Sequence, residues 1–294
     1  RLETLDGRFP DTDPNAIQAL HDAVAGGGAG PIVLDGLAAA ALAYVDPERL
    51  PGPVPLLLVH HLFTDDPDLA PPLREWLGRA EQSAFLHTPG IITTSGWTAR
   101  RVTELGVHDD RVRVVEPGTA PAPIARGSPG PGVCLLALGS ITPRKGHDTL
   151  IEALACLGHR EWRCRIVGSR RHAPEWARGL DARAGALGIA RQIEWRGELG
   201  NTALEAVWEE TDALVVPAHH AGDTRVVAEA LARGVPVVAT TAGALAECLP
   251  AGCGWSVPCA EPGALGEALA DLLDHPGRRA ARARAARRAG EALP

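Results

Sequence analysis

The chain has 294 residues, enough for two domains of ordinary size, and its 45% apolar and 22% charged composition is that of a soluble globular protein. A net charge of −7 argues against general nucleic-acid binding, which needs basic surface to meet phosphates. No apolar run approaches the roughly 18 residues of a membrane span, no signal peptide is visible, and the six cysteines form no C-x-x-C pair. Reduced thiols in a cytoplasmic protein are the plain reading.

The sequence contains no Met and opens on Leu2-Glu-Thr-Leu-Asp-Gly-Arg-Phe-Pro, which reads as the end of a strand and its exit turn, as if an earlier strand were missing. Residues 15–25 then predict a helix, with Asp13 as N-cap before Pro14 and a stop at Gly26-Gly27-Gly28. Strands are predicted at 31–35, 54–59, 90–94 and 112–115, alternating with helices at 37–44, 73–86 and 98–105. The stretch 117–132, rich in Pro and Gly, reads as a linker. A second alternation follows. Its strands are 133–138, 163–167, 192–195, 213–217 and 235–239, and its helices are 148–158, 174–187, 202–210 and 224–233. A helix over 261–275 precedes an Ala/Arg run at 278–288. Strands separated by helices imply parallel sheets with helices on both faces, in two copies. The domains expected are 1–125, 126–275 and a terminal helix over 276–294. That helix either packs back on the first domain or meets an anionic membrane surface.

The segment from Thr211 to Glu247 is the most informative. An apolar strand ends at Pro217, a short polar turn follows, and a helix carrying Glu229 leads through Gly234-Val-Pro into the next strand. The turn is where a parallel sheet presents ligands, and the helix N-terminus offers unsatisfied N–H groups to an anion. Its order resembles the donor-binding segment of retaining GT-B glycosyltransferases of family 4, through Glu229, Ala232, Gly234, Pro236-Val-Val-Ala-Thr240, Gly243 and Glu247. Arg111-Val-Arg-Val-Val-Glu-Pro-Gly, Leu136-Ala-Leu-Gly-Ser with Pro143-Arg-Lys-Gly, Ile166-Val-Gly and Ile193-Glu-Trp-Arg-Gly are similar to further family motifs. The resemblance covers roughly residues 54–275.

What it implies is a GT-B fold, two Rossmann-like domains with parallel sheets facing a central cleft, with the first β-α unit absent from the N-terminal domain. The expected activity is retaining transfer of a hexose from a nucleotide-diphosphate sugar to a glycan, lipid-linked or small-molecule acceptor, without a metal or other cofactor. Lys145 matches the family's phosphate-facing Lys and Glu229 the residue that binds the ribose hydroxyls. Gly139, Arg144, Gly168, Gly222, Thr224 and Arg225 complete the donor-binding set. His60 and His61 close the strand 54–59, where the family carries a sugar-site His, and with Asp223 they form the catalytic set. Two departures stand out. The family's first Glu, eight residues before Glu229, is Ala221, and its Arg after the strand Gly is Ser140.

Two rivals remain open. One is another GT-B enzyme that acts on the donor alone, such as a nucleotide-sugar epimerase. The other is a sugar-nucleotide-binding protein with impaired catalysis, which the two departures favour. A dinucleotide-dependent dehydrogenase fails because no G-x-G-x-x-G follows a strand.

Overall fold

A computed structural model describes residues 2–28, 30–46 and 49–293. The chain divides into two compact units, Arg1–Glu116 and Pro117–Pro294. The boundary falls before the Pro/Gly-rich stretch, not at 125/126. Residues 117–132 are irregular but held: Ala125 N–H donates to the Arg233 carbonyl, and the N–H groups of Arg126 and Gly127 donate to that of Glu209.

The first unit is a four-stranded parallel sheet in the order β1-β2-β3-β4, with β1 at Val33–Asp35, β2 at Leu56–Val59, β3 at Ile91–Thr93 and β4 at Val112–Val114. Helix α1 (Pro14–Gly26) starts as expected, with the Asp13 carboxylate accepting the Ala16 N–H at 2.9 Å. The helix expected at 37–44 is a 3-10 turn, Gly36–Ala38, followed by the short α2 (Ala39–Leu42). Residues 2–9 contain no strand. Helix α3 (Pro71–His87) buries Leu77, Ala80, Ala84 and Phe85, and α4 (Gly96–Glu104) follows β3 under a Ser95 N-cap. Leu20, Leu34, Leu57, Val59, Phe85 and Ile91 make the core.

The second unit is a six-stranded parallel sheet in the order β10-β9-β8-β5-β6-β7. Its strands are β5 (Val133–Leu138), β6 (Trp162–Val167), β7 (Ile193–Gly197), β8 (Ala213–Val216), β9 (Val237–Thr240) and β10 (Gly254–Val257). The first three strands run outward one way from β5 and the last three the other way, so the order reverses between β5 and β8. Side chains alternate across the sheet, as a pleated strand requires. Leu135, Ile166, Val215 and Val238 face one layer, with helices α5 (His147–Ala155) and α10 (Pro262–Asp274). Leu136, Val167, Leu214 and Val237 face the other, with α8 (Arg225–Ala232). Helices α6 (Pro174–Ala186), α7 (Asn201–Glu209) and the short α9 (Leu245–Cys248) complete the crossovers. Strand β10 escaped the sequence reading because Gly254-Trp-Ser-Val is short and half-polar, as an edge strand is.

The Ala/Arg run is helix α11 (Pro276–Gly290), and it packs on α8 of the second unit, contrary to the expected return to the first domain. Arg287 donates to the carbonyls of Ala232 at 2.5 Å and Ala122 at 3.3 Å, Arg282 lies 4.2 Å over the Trp255 ring, and Arg279 caps the Leu272 carbonyl. With Arg278 paired to Asp271, four of its six arginines hold the helix to its own unit.

In the first unit Glu81 is 1% exposed and accepts the Phe63 N–H at 3.1 Å, which fixes the turn after β2. Burial pushes its carboxyl up from 4.5 to about 8, so it is protonated at neutral pH. Because the folded value lies above the unfolded one, the stability tied to this proton is complete below pH 4.5 and lost as pH rises through about 8. Each unit of that interval is worth at most about 1.4 kcal/mol. Glu81→Gln removes the titration, so its melting temperature should match the parent's near pH 4.5, exceed it increasingly up to pH 8, and keep a constant lead above that. Thermal melts across pH 4.5–9 check this.

Candidate functional site

In an open parallel sheet, ligands bind beyond the carboxyl ends of the strands where the strand order reverses, because the connections there diverge and leave a crevice. In the second unit that point lies between β5 and β8, and a pocket opens there. Leu138, Pro217, Ala221 and Val226 give it apolar walls, and Lys145 and Asp223 bring charge to it.

The backbone shapes this pocket. After β5 the chain turns through Gly139 and enters a 3-10 turn, Pro143–Lys145, which ends at Gly146 in the left-handed conformation (φ +67°). A Cβ on Gly146 would sit 1.9 Å from the Pro217 carbonyl oxygen. The Arg144 carbonyl accepts the N–H groups of His219 at 2.8 Å and His220 at 3.3 Å, and the His219 ring meets Thr149 Oγ1 at 2.9 Å. The turn carrying Lys145 is thereby clamped to the segment after β8. The Lys145 side chain crosses Gly139, its Cε 3.6 Å from where a Cβ would stand. A Cβ on Gly168, at the end of β6, would meet the Gly139 carbonyl at 1.8 Å. These glycines serve close backbone approach, and neither Gly139 nor Gly168 borders the pocket itself.

On the β8 side, Ala221 is 3% exposed, and its carbonyl accepts the Ala244 N–H at 2.8 Å. Gly222 is buried and Thr224 half-buried at the entry to α8. Thr224 is the N-cap without a side-chain bond. Asp223 instead accepts the Arg225 N–H at 2.8 Å through one oxygen and the exposed Arg225 guanidinium at 2.6 Å through the other. Arg225 therefore faces its own turn. Glu229 is half-buried one turn beyond Val226, and among the described residues nothing hydrogen-bonds or pairs with its carboxylate. Burial raises its pKa, opposed by the charges of Arg233 and Arg225. A half-buried carboxylate with unused acceptor capacity suits a ligand that brings hydroxyl donors.

Sequence reasoning passed over His147. It is 2% exposed and borders the pocket, and among the described residues its Nδ1 has no hydrogen-bond partner. Burial, helped by the Lys145 charge, pushes it down to about 4, so the imidazole is neutral. Its position directly after Lys145-Gly146 was the available signal.

In the first unit, His60 and His61 follow β2, as expected. His60 Nε2 lies 3.4 Å from Asp35 Oδ2, and His61 Nε2 lies 3.6 Å from Asp66 Oδ2. The structure thus groups the expected residues in two sets: His60 and His61 in the first unit, and Lys145, Asp223 and the residues around them in the second.

The Gly146–Pro217 contact has a direct consequence. Gly146→Ala combines a left-handed backbone with a clash against a carbonyl oxygen, so it should cost about 3 kcal/mol. For a unit of this size that is roughly 6–12 °C in Tm, and differential scanning calorimetry measures it.

Residues 125–289 match the family described as Glycosyl transferases group 1, more than half of the chain. A D-inositol 3-phosphate glycosyltransferase from Streptomyces avermitilis is 33% identical over 201 residues, 65% of this chain and 42% of that protein. A protein of the same name from Xylanimonas cellulosilytica is 32% identical over 227 residues, 71% of this chain and 54% of its own length. The chain thus spans about half the length of the curated relatives it matches. Among solved structures, sucrose-phosphate synthase from Thermosynechococcus elongatus aligns with a TM-score of 0.83 at 20% identity, over 95% of this chain and 73% of that one. Anabaena HepE in complex with UDP-glucose gives 0.76 at 17%, over 95% and 77%. These likenesses carry the fold, α/β of the GT-B class with two parallel sheets. With a family match over most of the second unit, the chain belongs to the glycosyl transferases group 1 family.

Proposed function

We propose that the chain transfers a hexose from a nucleotide-diphosphate sugar to a hydroxyl-bearing acceptor, with retention of anomeric configuration and without a bound metal. The observation that carries this reading is the pocket at the β5–β8 reversal. It brings together the Lys145 cation and the N-terminus of α8, and one turn along that helix stands the half-buried Glu229, whose carboxylate has no hydrogen bond or ion pair among the described residues. A diphosphate beside Lys145 meets the positive charge that its departure requires. The Glu229 carboxylate accepts hydrogen bonds from the ribose hydroxyls. His147, held neutral, adds no second charge.

In the step itself, the bond from C1 to the diphosphate oxygen breaks and the bond from C1 to the acceptor oxygen forms on the same face. The acceptor proton passes to the departing phosphate oxygen, so no protein base is required. The unit of glycosidase-type chemistry, two carboxylates flanking the reacting carbon, is not needed. The names of the curated relatives support a polyol phosphate among the acceptors to try first, and the UDP-glucose complex of HepE supports uridine among the donors. No helix among the described residues is long and apolar enough to cross a membrane, which fits a reaction carried out in the cytoplasm.

A second reading is favoured by Ala221, which leaves an apolar wall where the family carries a carboxylate. On it, the chain binds sugar nucleotide but transfers poorly.

Thermal stabilisation by UDP, GDP, ADP and dTDP tests the donor site, since a ligand that binds only the folded state adds about 2.7 kcal/mol at a hundredfold excess over Kd. One diphosphate should give a clear shift. Glu229→Ala should weaken it roughly 10- to 100-fold, the scale of hydrogen bonds to a charged group. Affinity should also fall as pH drops through the raised pKa of Glu229, because the protonated acid is the poorer acceptor. No shift with any diphosphate would sink the donor-site reading. A shift without release of diphosphate from the matching sugar nucleotide, in the presence of polyol acceptors, would favour the binding protein.

A further inference from the structure

Lys145 stands between two grips of a single residue. Before it, the Arg144 carbonyl accepts the His219 N–H at 2.8 Å. After it, the His219 ring lies across Gly146, with Cδ2 3.0 Å from where a Cβ would stand. The ring then reaches Thr149, whose Oγ1 is 2.9 Å from Nε2, and Asp148 Oδ1 lies 3.7 Å from the same nitrogen. His219 thus holds the chain on both sides of the lysine, with its backbone on one side and its side chain on the other.

The residue that does this is itself anchored. The Thr240 hydroxyl, at the end of β9, donates to the Ala218 carbonyl at 2.5 Å, and both residues are 1% exposed. Thr149, the far partner, is 5% exposed in the first turn of α5. A histidine suits the gap between these two fixed points. Its flat apolar body passes over a residue that has no side chain, and its polar tip meets the hydroxyl beyond. A hydroxyl both donates and accepts, so this bond forms with either neutral tautomer of the ring. The N–H bonds to the Arg144 carbonyl fix only the entrance of the lysine's turn. The ring adds a second point, and two points fix a direction where one fixes only a place.

From this geometry we propose that His219 is a positioning residue for Lys145: it joins the lysine's turn to the chain between β8 and α8, and so sets where the ammonium meets a diphosphate. It acts through Lys145. The diphosphate's part in this rests on the glycosyl-transfer reading, whereas the tie itself rests on the geometry of the second unit alone.

Two substitutions remove the ring contact from opposite ends. His219→Leu keeps the backbone bond to Arg144 and loses the bond to Thr149, and Thr149→Val loses the same bond with little change of shape. The first readout is amide hydrogen exchange on the full chain. The Lys145 and Gly146 N–H groups bond within the turn, to the Thr142 and Pro143 carbonyls, so their exchange reports its opening. Each variant should raise exchange over residues 143–149 about tenfold, the scale of one hydrogen bond, while residues 133–138 of β5 exchange as in the parent. The second readout is affinity for whichever of UDP, GDP, ADP and dTDP stabilises the parent. His219→Leu should lower it about tenfold, yet change nothing further in a Lys145→Ala background, because a residue that acts through the lysine has nothing left to act on. Unchanged exchange over 143–149 in either variant, a rise that runs equally through 133–138, or an equal loss of affinity with and without Lys145 would each overturn the proposal. Failure of the glycosyl-transfer reading shows elsewhere, as no stabilisation by any of the four diphosphates, and the exchange contrast then decides the tie alone.

Discussion

The contact on which the second unit depends is the approach of Gly146 to the Pro217 carbonyl. Two parallel strands, β5 and β8, are neighbours although nearly eighty residues separate them in the chain. Their exits could diverge freely, and then Lys145 would sit on a mobile turn. Instead the left-handed Gly146 lets one exit lie against the other, and the Arg144 carbonyl takes two N–H groups from the far side. Lys145 is carried in this clamp, and the α5 N-terminus begins where it ends. A cation fixed in place before its anion arrives needs no reorganisation on binding, which is where much of the value of a preorganised electrostatic site lies.

The first unit uses the same edge of a parallel sheet differently. There, two carboxylates, Asp35 and Asp66, each accept a backbone N–H and lie beside His60 and His61. Glu81 supports that edge from beneath, because a protonated acid can be buried where a charged one could not.

Much of this was legible in the sequence. The alternation of apolar strands and helices gave nearly every element, because a parallel sheet covered on both faces leaves uninterrupted apolar runs such as Val133–Leu138. Lys145, Glu229 and the histidine pair were singled out by their order along the chain, and of these Lys145 borders the pocket of the second unit. What the sequence hid was contact between distant segments. Nothing local says that Asp35 faces His60 or that His147 is buried beside Lys145. The terminal helix was assigned to the wrong unit because its Ala/Arg composition has no apolar stripe to reveal a partner. It is held through arginine bonds to carbonyls and a stacked Trp255. Strand β10 was missed for a related reason, since its pairing with β9 and not its composition makes it a strand.

Ala221 sets the polarity of one wall of the pocket. The formal charges that border the pocket are Lys145 and Asp223, and both oxygens of Asp223 are already engaged by Arg225. A glutamate at position 221 would add a second carboxylate within a pocket whose walls there are apolar, and would offset the Lys145 charge. With alanine, that wall stays apolar, and Lys145 and Asp223 remain the formal charges that border the pocket. The same exchange removes a side-chain acceptor at that wall. The Ala221 carbonyl cannot replace it, because it is turned away to the Ala244 N–H. With no polar side chain, and with its carbonyl committed to the Ala244 N–H, position 221 presents an apolar surface to the pocket, and the polarity of the site is left to Lys145, His147 and Asp223.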